Sequence, residues 1–373
     1  MACLKGQRLK SVHTFLFAGL LTIGLLANTP VPALAATAAF NKTGSMNVAR
    51  IGHSATLLAN GQVLVTGGWN GSDLSPTVLA SAELYDPATG KWSLAGSMTV
   101  ARTGQSAVLL LNGEVLVAGG SNATGTAATT AELYNPATGA WTATGSMTTA
   151  RSANLVLLPS GEVLAAGGDR NTPSTAELYN PVSGTWTATG SLTSGGFGGS
   201  AVLLQNGLVL GVGNSAADLY DPSTGAWSAT TPPMVAGGYV ALLPDGEVCN
   251  QGTLYDPATA QWTLDGGAPP CKACAVIMLA NGTVLAAGGV KTVQGNPYPT
   301  TTTVKSAELW DLAVGEQLGC TCLSWQSTGN LTVSTASASI VLLSNGRALV
   351  SGGDTTTKSN SFVVIATAEL YTP

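Results

Sequence analysis

The chain has 373 residues, 9% of them charged and 45% hydrophobic, with a formal net charge of −5. An acidic balance without a basic run argues against a nucleic-acid-binding surface, and the length suffices to bury a large core. With charged side chains so scarce, Ser, Thr, Asn and Gly must form most of the surface, as in many secreted β proteins.

Residues 1–35 read as a secretory signal. Lys5, Arg8 and Lys10 form a basic start, and Phe15 to Ala27 is an apolar run too short for a membrane span of ~20 residues. Ala33-Leu34-Ala35 is a small-x-small cleavage site before Ala36. Cleavage removes three positive charges and moves the formal charge from −5 to −8. The expectation is a secreted protein, residues 36–373, with no membrane span after cleavage.

The next stretch, Phe40–Met46, aligns without gaps on Trp92–Met98. It reads as a fourth strand lacking the three that should precede it. A complete unit follows. Ser54–Ala59 is apolar and β-prone, Asn60-Gly61 reads as a tight hairpin turn, and Gln62–Thr66 runs into Gly67-Gly68. Glu83-Leu84-Tyr85 is a third strand, Asp86-Pro87-Ala88-Thr89-Gly90 a turn, and Lys91-Trp92-Ser93-Leu94 the return.

Both hairpins recur. The a–b turn returns at Asn112, Ser160, Asn206, Asp245, Asn281 and Asn345, each followed by Gly. The c–d segment returns from Glu132, Glu177, Asp218, Thr253, Glu308 and Glu369. A period of 35 to 61 residues marks a repeat architecture. Strands such as Val63-Leu64-Val65, apolar on both faces, suit sheets packed between two neighbours, and four-stranded sheets repeated radially make a β-propeller.

The glycine pair, then Tyr, then six residues, then Trp resembles the kelch repeat family: Gly67-Gly68/Tyr85/Trp92, Gly119-Gly120/Tyr134/Trp141 and Gly167-Gly168/Tyr179/Trp186. Later units keep Tyr220/Trp227, Tyr255/Trp262 and Trp310/Trp325. The resemblance spans nearly the whole mature chain and implies fold rather than activity. The fold class is therefore all-β, a seven-bladed kelch-type β-propeller. Ala368–Tyr371 is a third strand after which the chain stops, so the strand around Phe40 should complete the last blade and close the ring.

Topology divides the loops between two faces. The a–b and c–d turns are short and uniform. The b–c loops and d–a connections vary, and binding usually resides in such loops. The long b–c loops belong to blade 1, with Trp69, Asn70, Asp73 and Pro76; blade 6, with Tyr298; and blade 7, with Asp354 and Phe362. Blades 4 and 5 have almost none, so the variable face should carry high walls at blades 6, 7 and 1. The candidate contacts are Arg50, His53, Trp69, Asp73, Arg102, Arg151, Asp169, Tyr239, Tyr298 and Asp354, with Trp69 and Tyr298 as aromatic anchors.

Several of these have a structural reading beside the functional one. Arg50, Arg102 and Arg151 form either a basic arc at the channel mouth or ion pairs with Glu83, Glu132 and Glu177; blades with the arginine also have the glutamate. Of the 19 acids, those not assigned to repeat positions are Asp73, Asp169, Asp265, Glu316 and Asp354, and Asp73 with Asp354 is the better acid–base pair. His53 stands beside a repeat position held by Gln105 or Asn154 and reads as a polar channel residue. Some kelch propellers resemble secreted copper-radical oxidases, whose site uses two histidines and two tyrosines. One mature histidine cannot supply that set, and no cofactor or metal is expected. Cys271 and Cys274 suit a local disulfide, while Cys249 in strand b reads as a buried thiol.

These readings converge on a non-catalytic binding module for extracellular carbohydrate or protein, expected to be a monomer. The alternative is a glycan-active hydrolase or lyase with acid–base groups at the channel mouth.

Overall fold

Each repeated unit folds, in the computed structural model, as a four-stranded antiparallel sheet. The structure describes residues 38–72, 75–152, 154–167, 174–193, 200–213, 215–235, 240–250, 253–264, 274–293, 300–310, 325–356 and 362–373. All fall in one unit of the chain, Thr37–Pro373. Blade 1 is Ser54–Leu57 (strand a), Val63–Thr66 (b), Ser81–Asp86 (c) and Lys91–Ser97 (d). Each inner strand packs against that of the next blade, and Ser339–Leu342 of blade 7 packs against Ser54–Leu57 of blade 1. Seven blades thus close a ring.

The closing strand is the expected one. Ala39–Lys42 pairs with Ala368–Thr372, with Phe40 opposite Tyr371. Their ring centroids lie 4.9 Å apart. That geometry matches Tyr85 with Trp92 at 5.0 Å and Tyr179 with Trp186 at 5.1 Å, so Phe40 occupies the tryptophan's place in blade 7. Opposed aromatic pairs of this kind add to sheet stability beyond the area they bury.

Sequence logic at each level explains the packing. Strand b is fully buried, as in Val63–Thr66 and Val115–Ala118, because blades cover both of its faces. The tryptophan of one blade reaches back to the outer strand of the blade before it: Trp92 Nε1 donates to Gly44 O at 2.7 Å and Trp186 Nε1 to Gly145 O at 2.9 Å. The tyrosine hydroxyl does the same with a threonine, Tyr85 with Thr43 at 2.7 Å and Tyr220 with Thr189 at 2.9 Å. Burial raises the pKa of these phenols, so they stay neutral hydrogen-bonding groups.

The glycine pair serves the seam between blades. Gly67 has φ +62°, and a Cβ there would lie 2.5 Å from the Arg102 carbonyl of blade 2. Only glycine lets the d–a connection lie this close, and Gly68 N then donates to Arg102 O at 2.9 Å. The same bond joins Gly120 to Arg151, and Gly353 to Arg50 across the closing seam.

One local expectation is sharpened and one needs correction. The tight Asn-Gly turn is a three-residue hairpin loop. Gly61 N donates to Leu58 O and only the glycine takes positive φ, which makes a type I turn followed by a left-handed glycine. Residue 60 keeps negative φ, which a type I′ turn forbids. Asn154 does not share the place of His53. It pairs with Ala166 as Ser54 pairs with Thr66, because the connection after Arg151 is one residue shorter than that after Arg50.

Candidate functional site

Strand a descends from the variable rim, so the d–a connections and b–c loops emerge together there. Three b–c loops form hairpins of their own. Trp69–Ser72 pairs with Ser75–Val78, Val290–Val293 with Thr300–Thr303, and Asp354–Thr356 with Phe362–Val364. They belong to blades 1, 6 and 7, the three expected to stand high. They also pack side by side: the blade 6 hairpin meets blade 7 through Thr300–Thr303 and Asp354–Thr356, and blade 7 meets blade 1 through Phe362–Val364 and Trp69–Ser72.

The junction of blades 6 and 7 is locked by hydroxyls. Thr303 N donates to Thr356 Oγ1 at 3.0 Å, and Thr356 N donates to Thr303 Oγ1 at 2.9 Å. Ser334 Oγ and Thr355 Oγ1 lie 2.9 Å apart. The result is one ordered wall rather than three separate loops. No repeated motif announces it, since each loop occurs once; the threonine run 300–303 was the available signal.

Trp69 sits half-buried at the inner foot of this wall. Its backbone bonds reciprocally with Ile51, at 2.9 and 3.0 Å, which lays the strand across its own blade's d–a connection. Phe362 and Val363 are exposed at 44% and 45%. Asp354 is buried, with its backbone bonded to Ala336. Asp73, Asp169, Tyr239 and Tyr298 lie outside the described residues.

The arginines are not rim contacts. Arg50, Arg102 and Arg151 are fully buried, paired with Glu83, Glu132 and Glu177 at 2.8, 2.9 and 2.8 Å. Arg50 also donates to Gly67 O and Ser81 O, pinning the ends of strands b and c. Glu83 in turn accepts from the backbone N–H groups of Asn47 and Val48, at 2.7 and 3.0 Å. Burial pulls the Arg50 and Arg102 guanidinium groups below their ordinary pKa, and the hydrogen bond and charge of the partner glutamate pull them back. Blade 7 does without the arginine. Glu369 accepts from Thr332 N and Val333 N, and Thr335 Oγ1 donates to Gly352 O at 3.0 Å.

His53 is also buried, with its Cε1 against Gly352 across the closing seam. Burial, reinforced by the charge of Arg50, lowers its pKa to about 3. Neither ring nitrogen forms a well-aligned hydrogen bond; the acceptor beside the ring is the Arg50 carbonyl. A neutral, covered imidazole is poorly placed for acid–base work. Gln105 packs over Gly67 in the same way and donates to Thr66 O at 2.6 Å. Cys274 is in a disulfide, while Cys271 lies outside the described residues. Cys249 is a buried thiol in strand b of blade 5.

The opposite face carries acids that are exposed or half-covered. Two shallow clefts open there between adjacent blades. One, of about 400 Å³, is lined by Asn60, Asn112, Glu114 and Asn135. The other, of about 280 Å³, is lined by Gln205, Asp245, Glu247 and Asp256. Neither was expected from the uniform turns.

The profile of the Kelch motif matches residues 52–99 and 102–148, which cover blades 1 and 2. No curated protein matches the chain. Among solved structures, a fungal alcohol oxidase of the AA5 family, determined in complex with copper, aligns with a TM-score of 0.70 at 17% identity. The alignment covers 90% of this chain and 76% of that one, a likeness of fold. Among the described residues, the donors do not assemble a copper site. No group of three or more His, Cys, Asp or Glu side chains gathers among the described residues. His53 is packed into a seam at the rim, whereas the Tyr85, Tyr179 and Tyr255 hydroxyls are held by threonines near the opposite face.

Proposed function

This chain belongs to the kelch-repeat β-propellers, and from that premise we propose that it is a secreted, non-catalytic binding module. Its ligand is an extracellular carbohydrate or protein, held at the rim formed by blades 6, 7 and 1. The observation that carries this reading is the wall of three cross-bonded hairpins on an otherwise uniform ring. A rigid scaffold with its irregular segments gathered at one edge is the usual arrangement of a binding surface.

The contacts proposed within the described residues are Trp69 and Phe362, with the Asp354 strand as their support. Asp73, Asp169, Tyr239 and Tyr298 are proposed from sequence position alone. The arginines and His53 act beneath the surface, and Arg50 holds the strand ends from which the blade 1 hairpin rises.

The test is retention of the secreted protein on extracellular polysaccharides and envelope proteins. Trp69→Ala and Phe362→Ala should each lose retention while the Tm stays within about 2 °C of the parent. Unchanged retention in both would remove the rim from consideration. Mass spectrometry of the secreted form should find Ala36 at its N-terminus; a retained residue 1–35 segment would contradict the signal assignment.

A further inference from the structure

The rim and the turn face differ in charge, and the difference constrains the ligand. Among the described residues, the rim hides its ionisable groups. The three Arg–Glu pairs and Asp354 are buried, and Glu369 and Asp218 are too. What reaches solvent is Lys291 and Lys305, with Glu308 half-buried beside them at the head of strand c in blade 6. The surface otherwise offers threonine and serine hydroxyls, with the exposed Phe362 and Val363 next to the Trp69 strand.

Resting on the binding reading above, we propose that the rim ligand is an uncharged polysaccharide. Its sugar rings lie with their C–H faces on Phe362 and Trp69, and its hydroxyls exchange hydrogen bonds with the threonines of the wall. An acidic polymer would need a cationic track, and the described rim offers two lysines on one blade offset by one carboxylate. A basic partner would find its complement on the opposite face instead. Hydroxyls and aromatic surface with little net charge among the described residues complement a neutral polyol, which has polar edges and apolar faces.

The intact mature protein is tested for retention on immobilised starch, xylan, hydroxyethylcellulose and polygalacturonate at 50 and 500 mM NaCl. The proposal expects retention on at least one of the three neutral polymers, changing less than twofold between the two salt concentrations. Phe362→Ala should weaken it at least fivefold, and the Lys291→Ala/Lys305→Ala double variant should leave it unchanged. Retention on polygalacturonate alone, lost at high salt and in the double variant, overturns the neutral ligand and leaves the binding module standing. Retention on none of the four, with a protein ligand captured through Trp69, also overturns the neutral ligand. Absence of every form of retention overturns both.

Discussion

The two faces of the ring use the same blades in opposite ways. On the turn face, seven a–b turns repeat one hydrogen-bond pattern, from Gly61 N to Leu58 O through Gly346 N to Leu343 O. The acids of this face, among them Glu114, Asp221 and Asp245, stand in solvent or half-covered. At the rim, most of the described ionisable groups are taken inside, and the loops differ from blade to blade. The difference teaches where each face derives its order. The turn face is ordered by local chain geometry, whereas the rim is ordered by buried polar groups that tie each connection to the blades beside it.

Breaking one of those ties should have the largest effect. Arg102→Met leaves Glu132 buried without its cation and removes one donor each from Gly119 O and Thr130 O. Denaturant unfolding should show a loss of about 3 kcal/mol. A double variant Arg102→Met/Glu132→Leu should lose less, because no buried charge is left alone. A single-variant loss no larger than that of an exposed turn residue would erase the contrast between the faces.

Acid should act next, through His53. Its native pKa is about 3 against an ordinary value of 6.5, so the unfolded chain takes up a proton that the folded chain refuses. Its contribution to stability is complete above pH 6.5 and falls as pH drops toward 3. His53→Gln places at the closing seam the residue type that blade 2 carries as Gln105. Unfolding measured from pH 7 to pH 4 should therefore have a shallower pH dependence in the variant. Equal slopes would show that the imidazole is not held neutral.

A smaller, opposite effect is expected on the turn face. Ala260 takes φ +54° where blades 1 to 4 place Gly90, Gly139, Gly184 and Gly225. Ala260→Gly should relieve this left-handed strain and raise stability by about 0.5 kcal/mol, read as a higher urea midpoint.

What was legible in the sequence follows the same division. The strands, the turns and the ring closure could be read because seven copies expose each rule. Phe40 was recognisable as a closing residue only because Trp92 and its counterparts define the place it fills. Copy number revealed a tight turn at Asn-Gly but not its type, which the hydrogen bonds at Leu58 and Gly61 fix as a three-residue loop. Alignment also misplaced Asn154, since a one-residue shortening inside a connection leaves no mark on either side. The arginines were ambiguous for a physical reason. A buried ion pair and a ligand clamp call for the same residue types, and only burial separates them. The packing of the three hairpins was illegible because Thr303 and Thr356 meet across 53 residues in loops that occur once. Their height at blades 6, 7 and 1 was readable from loop length alone.

The most direct test of the account is hydrogen–deuterium exchange on the mature protein, with and without the polysaccharide that retains it. Protection should rise in the Trp69–Ser72, Asp354–Thr356 and Phe362–Val364 strands and stay unchanged in the turns at Asn60, Asn112, Asn206 and Asp245. A gain confined to those turns, above all around Glu247 and Asp256, would place the ligand on the other face and contradict it.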